Sequence, residues 1–285
     1  MLETYVLHIT KECNMSCTYC YEEDKGSVYS WDEIRGLLEK IVSLNKHFVL
    51  EFLGGEPCLR VDLIKKAVDY LESLPDIRVE RYAITTNGTI VTDELKEVMR
   101  SCDRVYWHPS IDGNKFMNSL RVMKDGHNSY DVVVKNIQEM LKLFGEDRIG
   151  VHLVTHPYNI NCLRDGVHDL YGHGVRLFGI GTVEKTIVID DAYCAAFIEQ
   201  HRLLSGDVKV GRLDAMISSF SGVKPKTDSR HYIKDASGKT VLETYGRAQG
   251  DIKDDPGYRT PAAGSPLGDK IFSLRDRVYT EHHRA

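Results

Sequence analysis

Six times between residues 4 and 204, a short run of apolar and β-branched residues gives way to a helical pattern, and this alternation restricts the possible folds more than any other feature. TYVLHIT (4–10), HFVLEFL (47–53), RYAITT (81–86), RVYWHPSI (104–111), IGVHLVT (149–155) and residues 175–180 read as strands. A helix follows each. The first is announced by the capping-box pattern Ser30-Trp31-Asp32-Glu33, after which Ile34, Leu37, Leu38, Ile41 and Val42 recur at helical spacing. The others are expected over 62–74, from a Thr92 cap to about Arg100, over 130–144, near 163–171 and over 191–204. Strand-then-helix units with short links require parallel neighbours, because a crossover must carry the chain back before the next strand starts. Six units are too few for an ordinary eight-fold barrel. The expected fold is therefore α/β, a partial (β/α)6 TIM-like barrel.

Folds of this kind concentrate their chemistry at the C-terminal ends of the strands. Four polar motifs fall there: CNMSCTYC (13–20), GGEP (54–57), TTNGT (85–89) and SIDG (110–113). The first is the most specific. Three of the seven cysteines, Cys13, Cys17 and Cys20, lie within eight positions. The start, MLETYVLHIT, has no basic segment, long apolar stretch or small-residue cleavage site, so a secretory signal is not expected. No apolar run approaches the roughly 20 residues of a membrane span, so no membrane partner is expected. The expected compartment is cytoplasmic, where clustered thiols bind metal or do redox work rather than form disulfides. Structural zinc calls for four ligands, commonly two pairs, and Cys58, Cys102, Cys162 and Cys194 are scattered singly. Those four read as small buried hydrophobes. Three thiolates on a cubane iron–sulfur cluster leave one iron without a protein ligand. The formal charge of −5 gives no electrostatic footprint for broad nucleic-acid binding.

Taken in order and spacing, CNMSCTYCY, GGEP, TTNGT and SIDG make residues 4–205 resemble the radical S-adenosylmethionine enzymes, and within them the branch of peptide maturases and anaerobic sulfatase-maturing enzymes. The resemblance implies that Cys13, Cys17 and Cys20 hold a 4Fe–4S cluster whose open iron takes the amino and carboxylate groups of S-adenosylmethionine. It also implies reductive cleavage of that cofactor to a 5′-deoxyadenosyl radical, which abstracts hydrogen from a substrate carbon. By the same resemblance Tyr19 lies near the adenine. Gly54, Gly55 and Glu56 receive the methionyl ammonium, where glycines permit close backbone approach and a carboxylate pairs with a cation. Ser110 and Asp112 stand beside the ribose, Arg121 pairs with the methionyl carboxylate, and Asn87 lies near cofactor and substrate. An external one-electron donor such as a flavodoxin or ferredoxin is the implied partner.

Strand alternation adds candidates on the substrate side. Ser110 shares parity with His108 and Tyr106; His152 and His156 are expected on one face of the fifth strand; Glu51 interrupts an apolar strand and needs a partner. His108, His152, His156 and Glu51 are thus the candidate catalytic residues, with interior structural polar groups as the alternative reading.

From about residue 206 the texture changes to Gly, Pro, Ser and Lys. HYIKDASGKTVLETYG (231–246) reads as a hairpin turning at Asp235–Gly238. Residues 1–205 are expected to form the barrel and 206–285 a small appendage resembling an auxiliary-cluster domain. That appendage has no cysteine after Cys194, so a single cluster is expected. This weakens reactions that need an auxiliary cluster as electron acceptor and favours redox-neutral ones. The expected substrate is a peptide or protein residue. The alternatives are an amino-acid-like or nucleoside-linked substrate, including a modified base, handled by a radical isomerase or lyase, and a non-catalytic iron–sulfur binding protein.

Overall fold

The computed structural model describes residues 3–22, 25–26, 28–183, 187–220, 229–234 and 240–245. Six βα units follow one another as expected. They are β1 (Glu3–Thr10) and α1 (Trp31–Leu44), β2 (His47–Gly54) and α2 (Val61–Glu72), β3 (Arg78–Thr86) and α3 (Asp93–Ser101). Then come β4 (Val105–Pro109) and α4 (Tyr130–Phe144), β5 (Gly150–Thr155) and α5 (Leu163–Gly172), β6 (Leu177–Thr182) and α6 (Asp191–Lys209). Helix starts follow their caps. Ser30 and Glu33 form the full capping box on α1, Thr92 accepts from the Leu95 N–H at 3.1 Å, and Asp190 accepts from the Tyr193 N–H at 2.8 Å.

β4, β3, β2 and β1 are parallel neighbours in that order, and β5 pairs in parallel with β6. Backbone bridges Trp107–Ile149 and Ser110–His152 join β4 to β5, so the two sheets form one curved array, the partial barrel. Two further parallel strands come from beyond the sixth unit. β7 (Met216–Phe220) extends the array past β6, and β8 (Ser229–Lys234) lies against the free side of β1. β9 (Thr240–Tyr245) returns antiparallel to β8, giving the expected hairpin; its turn, 235–239, lies outside the described residues. β7 was not expected, since MISSF is short and broken by two serines and stands out only when β6 supplies its partner. Helix α6 also carries through the expected boundary at 205 to Lys209.

The strands are two-faced. On β4, Val105, Trp107 and Pro109 are buried while Tyr106 and His108 are half-buried. The buried face packs against the helices: Leu7, Leu50, Phe52, Ile84 and Trp107 meet Ile34, Leu38, Ile64 and Val98 in one core. Each such side chain contributes about 1.5–3 kcal/mol on burial, which is why the helical stripes hold the sheet in its curve. The other face lines the lumen.

Candidate cluster and cofactor site

The cysteine loop leaves β1 at its C-terminal end and is strapped to the end of the short helical turn Met117–Leu120 and the residues after it. The Ser16 N–H donates to Val122 O at 2.8 Å and the Thr18 N–H to Leu120 O at 2.9 Å, while buried Met15 bridges to Met123. Cys13, Cys17 and Cys20 are free and half-buried. Burial pushes the Cys13 and Cys17 thiols up, and Cys17 also feels both of the other two sulfurs. Among the described residues no three His, Cys, Asp or Glu side chains converge on a single ion. A cubane does not require that, because each thiolate binds its own iron and the ligands surround the cluster.

GGEP locks this loop from the β2 side. The Gly55 N–H donates to Thr10 O at 2.8 Å and the Glu56 N–H to Glu12 O at 2.7 Å. A Cβ on Gly55 would stand 2.3 Å from Glu12 O and 2.4 Å from Lys11 O. The glycines therefore serve backbone-to-backbone contact within the chain, a use the sequence does not reveal. Glu56 is fully buried. Its Oε1 accepts from the Cys58 N–H at 2.8 Å and the Thr86 hydroxyl at 2.6 Å, and its Oε2 accepts from the Asn87 N–H at 2.6 Å. Burial raises its pKa against those three donors and the Cys58 thiol. Asn87 extends the chain of contacts. Its Nδ2 donates to Asn14 Oδ1 at 2.7 Å and lies 3.8 Å from Cys13 Sγ, and Asn14 in turn donates to Thr89 Oγ1 at 2.8 Å.

SIDG supplies the opposite wall. Asp112, fully buried, accepts from Arg121 Nε at 2.8 Å, the Tyr19 hydroxyl at 2.5 Å and the Val154 N–H at 3.0 Å. The Arg121 guanidinium lies over the Tyr19 ring, 5.4 Å from its centre. Burial opposes the Arg121 charge, but Asp112 outweighs it and holds the group firmly protonated. Burial also raises the Tyr19 phenol well above its usual range. Tyr19, Asp112 and Arg121 were each expected to touch the cofactor; here they satisfy one another. Ser110 sits at the β4–β5 junction, its N–H donating to Thr86 O at 2.8 Å. Asn118 was missed: its Oδ1 accepts from the Asp112 N–H at 3.1 Å and fixes the turn that presents the carboxylate. Nothing in NSLR singled it out, since the contact forms only once the turn closes.

The substrate-side candidates divide. His108 and His152 lie together on the lumen face, ring centres 5.2 Å apart, and burial lowers their pKa values to about 3 and about 4. Glu51 shares that face and accepts from the Thr85 hydroxyl at 2.7 Å; burial raises its pKa. His156 does not join them. β5 ends at Thr155, strand alternation stops, and the His156 ring turns to Tyr19, 5.8 Å away.

Three thiols in one loop, a buried carboxylate and an arginine whose terminal nitrogens have no acceptor among the described residues suit a cluster with one open iron and the zwitterionic methionyl end of S-adenosylmethionine. With both groups bound, the site gains one-electron cleavage of the sulfonium and, through it, hydrogen-atom abstraction from carbon. The chain's own part would be to hold the cluster through Cys13, Cys17 and Cys20 and to present the buried Glu56 carboxylate to an ammonium.

The family model for the Radical SAM superfamily matches residues 7–170, more than half of the chain. An uncharacterized protein of Methanocaldococcus jannaschii is 29% identical over 172 residues, covering 60% of this chain and 59% of that protein. A GTP 3′,8-cyclase of Clostridium perfringens (strain 13 / Type A) is 33% identical over 239 residues, covering 77% of this chain and 70% of the cyclase. The solved structure described as native anSMEcpe with bound AdoMet and Cp18Cys peptide superimposes with a TM-score of 0.66 at 14% identity, covering 76% of this chain and 63% of that one. The chain spans 59%, 46% and 33% of the length of three curated relatives. With the family match running from inside β1 to helix α5, the chain belongs to the radical S-adenosylmethionine superfamily and is an enzyme that works with a 4Fe–4S cluster and S-adenosylmethionine.

Proposed function

We propose that this enzyme abstracts a hydrogen atom from a carbon of a polar substrate held in the barrel lumen, in the first instance a residue of a peptide or protein. The observation that carries the reading is the lumen face itself. Glu51, Thr85, Tyr106, His108 and His152 occupy inward positions, while Ala83, Gly179 and Gly181 bring little or no side chain to the same face. Polar side chains on such a face favour a substrate that hydrogen-bonds rather than an apolar one. Cys13, Cys17, Cys20, Tyr19, Glu56, Asn87, Ser110, Asp112 and Arg121 form the cluster and cofactor side at the strand ends, and Glu51, His108 and His152 form the substrate side. Fold likeness to a structure that holds a peptide supports the peptide assignment. A flavodoxin- or ferredoxin-like protein serves as external reductant, and residues beyond α6 act as a cluster-free appendage.

A second reading, an amino-acid-like or nucleoside-linked substrate, is favoured by the 33% identity to a GTP 3′,8-cyclase. One experiment separates the two. Reduced, reconstituted protein is given S-adenosylmethionine with deuterated peptide, small-molecule or nucleoside fractions of the native host. Deuterium in 5′-deoxyadenosine from the peptide fraction alone is the expected result; label from the nucleoside or small-molecule fraction instead would replace the peptide assignment.

A further inference from the structure

His156 is 1% exposed, and its Nε2 has no hydrogen-bond partner among the described residues. Its Nδ1 accepts from the Tyr158 N–H at 3.3 Å, and the backbone N–H of His156 donates to Asn159 Oδ1 at 2.8 Å. A neutral imidazole that accepts at Nδ1 carries its proton on Nε2, so the orphaned atom is a donor. Burial lowers the pKa of the ring, with Asp112 opposing and Arg121 reinforcing that shift, which keeps it neutral at neutral pH. A buried N–H left without an acceptor is destabilising, so a ligand acceptor is its natural complement.

The surroundings specify the ligand. On one side stands Tyr19, which carries the contacts to Asp112 and Arg121; on the other stands Tyr158, 5.8 Å away and 71% exposed, a thin cover toward solvent. Charged groups of a ligand are served elsewhere in the site: the Glu56 carboxylate suits an ammonium and the terminal nitrogens of Arg121 suit a carboxylate. An uncharged donor between two aromatic rings suits an uncharged heteroaromatic or hydroxylated group instead. We propose that the Nε2–H of His156 donates a hydrogen bond to the nucleoside half of S-adenosylmethionine, which makes His156 a cofactor-binding residue and removes it from the substrate side.

The test measures binding rather than turnover. Affinities of anaerobically reconstituted protein for 5′-deoxyadenosine and for L-methionine are compared in wild type, His156→Leu and His156→Gln. Leucine removes the donor; glutamine returns an N–H close to the Nε2 position. The expected result is a roughly tenfold loss of 5′-deoxyadenosine affinity in His156→Leu, the size of one hydrogen bond, with substantial recovery in His156→Gln. Methionine affinity and iron content stay unchanged. Unchanged 5′-deoxyadenosine affinity in a folded His156→Leu protein overturns the proposal. So does a loss confined to methionine, or an equal loss in both variants accompanied by a lower Tm, which would mark a packing role. Should the leucine variant not fold, wild type labelled with ¹⁵N-histidine decides. The His156 Nε2 proton signal should shift downfield and exchange more slowly on adding 5′-deoxyadenosine, and a signal that does not respond overturns the proposal.

Discussion

At the scale of single residues, Asp112 and Glu56 carry the most structure per side chain. Asp112 is the fully buried partner of Arg121 and also ties down Tyr19 and Val154. Asp112→Ala strands a buried guanidinium, and urea denaturation should show a loss of about 3–5 kcal/mol. A loss under 1 kcal/mol would mean that Arg121 finds solvent or another acceptor. Glu56 is held by the Cys58 and Asn87 N–H groups, the Thr86 hydroxyl and the Cys58 thiol. Glu56→Gln should keep the iron content of the reconstituted protein while weakening S-adenosylmethionine binding by roughly tenfold, the worth of one charge-assisted contact. Unaltered binding would leave Glu56 a purely structural cap. The roles of Asn14, Thr86 and Asn118 could not be read from the sequence. Each is a small polar residue whose meaning comes from a partner on another strand end, and no local pattern encodes that partner.

At the scale of elements, the sequence was readable where local physics decides. Caps at Ser30 and Thr92 placed two helix starts, and turn residues closed β2, β3 and β4 near their observed ends. It was unreadable where pairing decides, as for β7, or where strand alternation is carried past the end of a strand, as for His156 just after Thr155. Nor did it show the close approach of Gly55 to the backbone of Lys11 and Glu12. Gly55→Ala should therefore displace the cysteine loop, costing more than about 1 kcal/mol and lowering iron loading even with excess iron and sulfide. Normal loading with normal stability would show that the loop tolerates a shift. Ser30→Ala, remote from the site, should cost about 1 kcal/mol through the lost capping box and leave iron content untouched.

At the scale of the whole molecule, the partial barrel separates an apolar helix-facing layer from a polar lumen, and that polarity makes stability depend on pH. His108 and His152 titrate near 3 and 4 in the folded chain and near 6.5 when free, because burial disfavours their charged forms. Between those values the unfolded chain binds more protons, so stability rises with pH. Their contribution is complete above about pH 6.5 and is lost progressively as pH falls toward the folded values. Urea midpoints should drop from pH 7.5 to pH 5, and His108→Gln should flatten that slope; an unchanged slope would place the titration elsewhere. The central proposal is that Cys13, Cys17 and Cys20, in the loop that leaves β1 at its C-terminal end, hold a cluster with an open iron. The most direct check is therefore 5′-deoxyadenosine formation by anaerobically reconstituted, dithionite-reduced protein given S-adenosylmethionine, run beside Cys17→Ala. The account predicts 5′-deoxyadenosine from wild type, and loss of both the cluster absorbance and the product in the variant. A wild-type protein that holds its full cluster yet cleaves no cofactor, or a Cys17→Ala protein that still does, would contradict it.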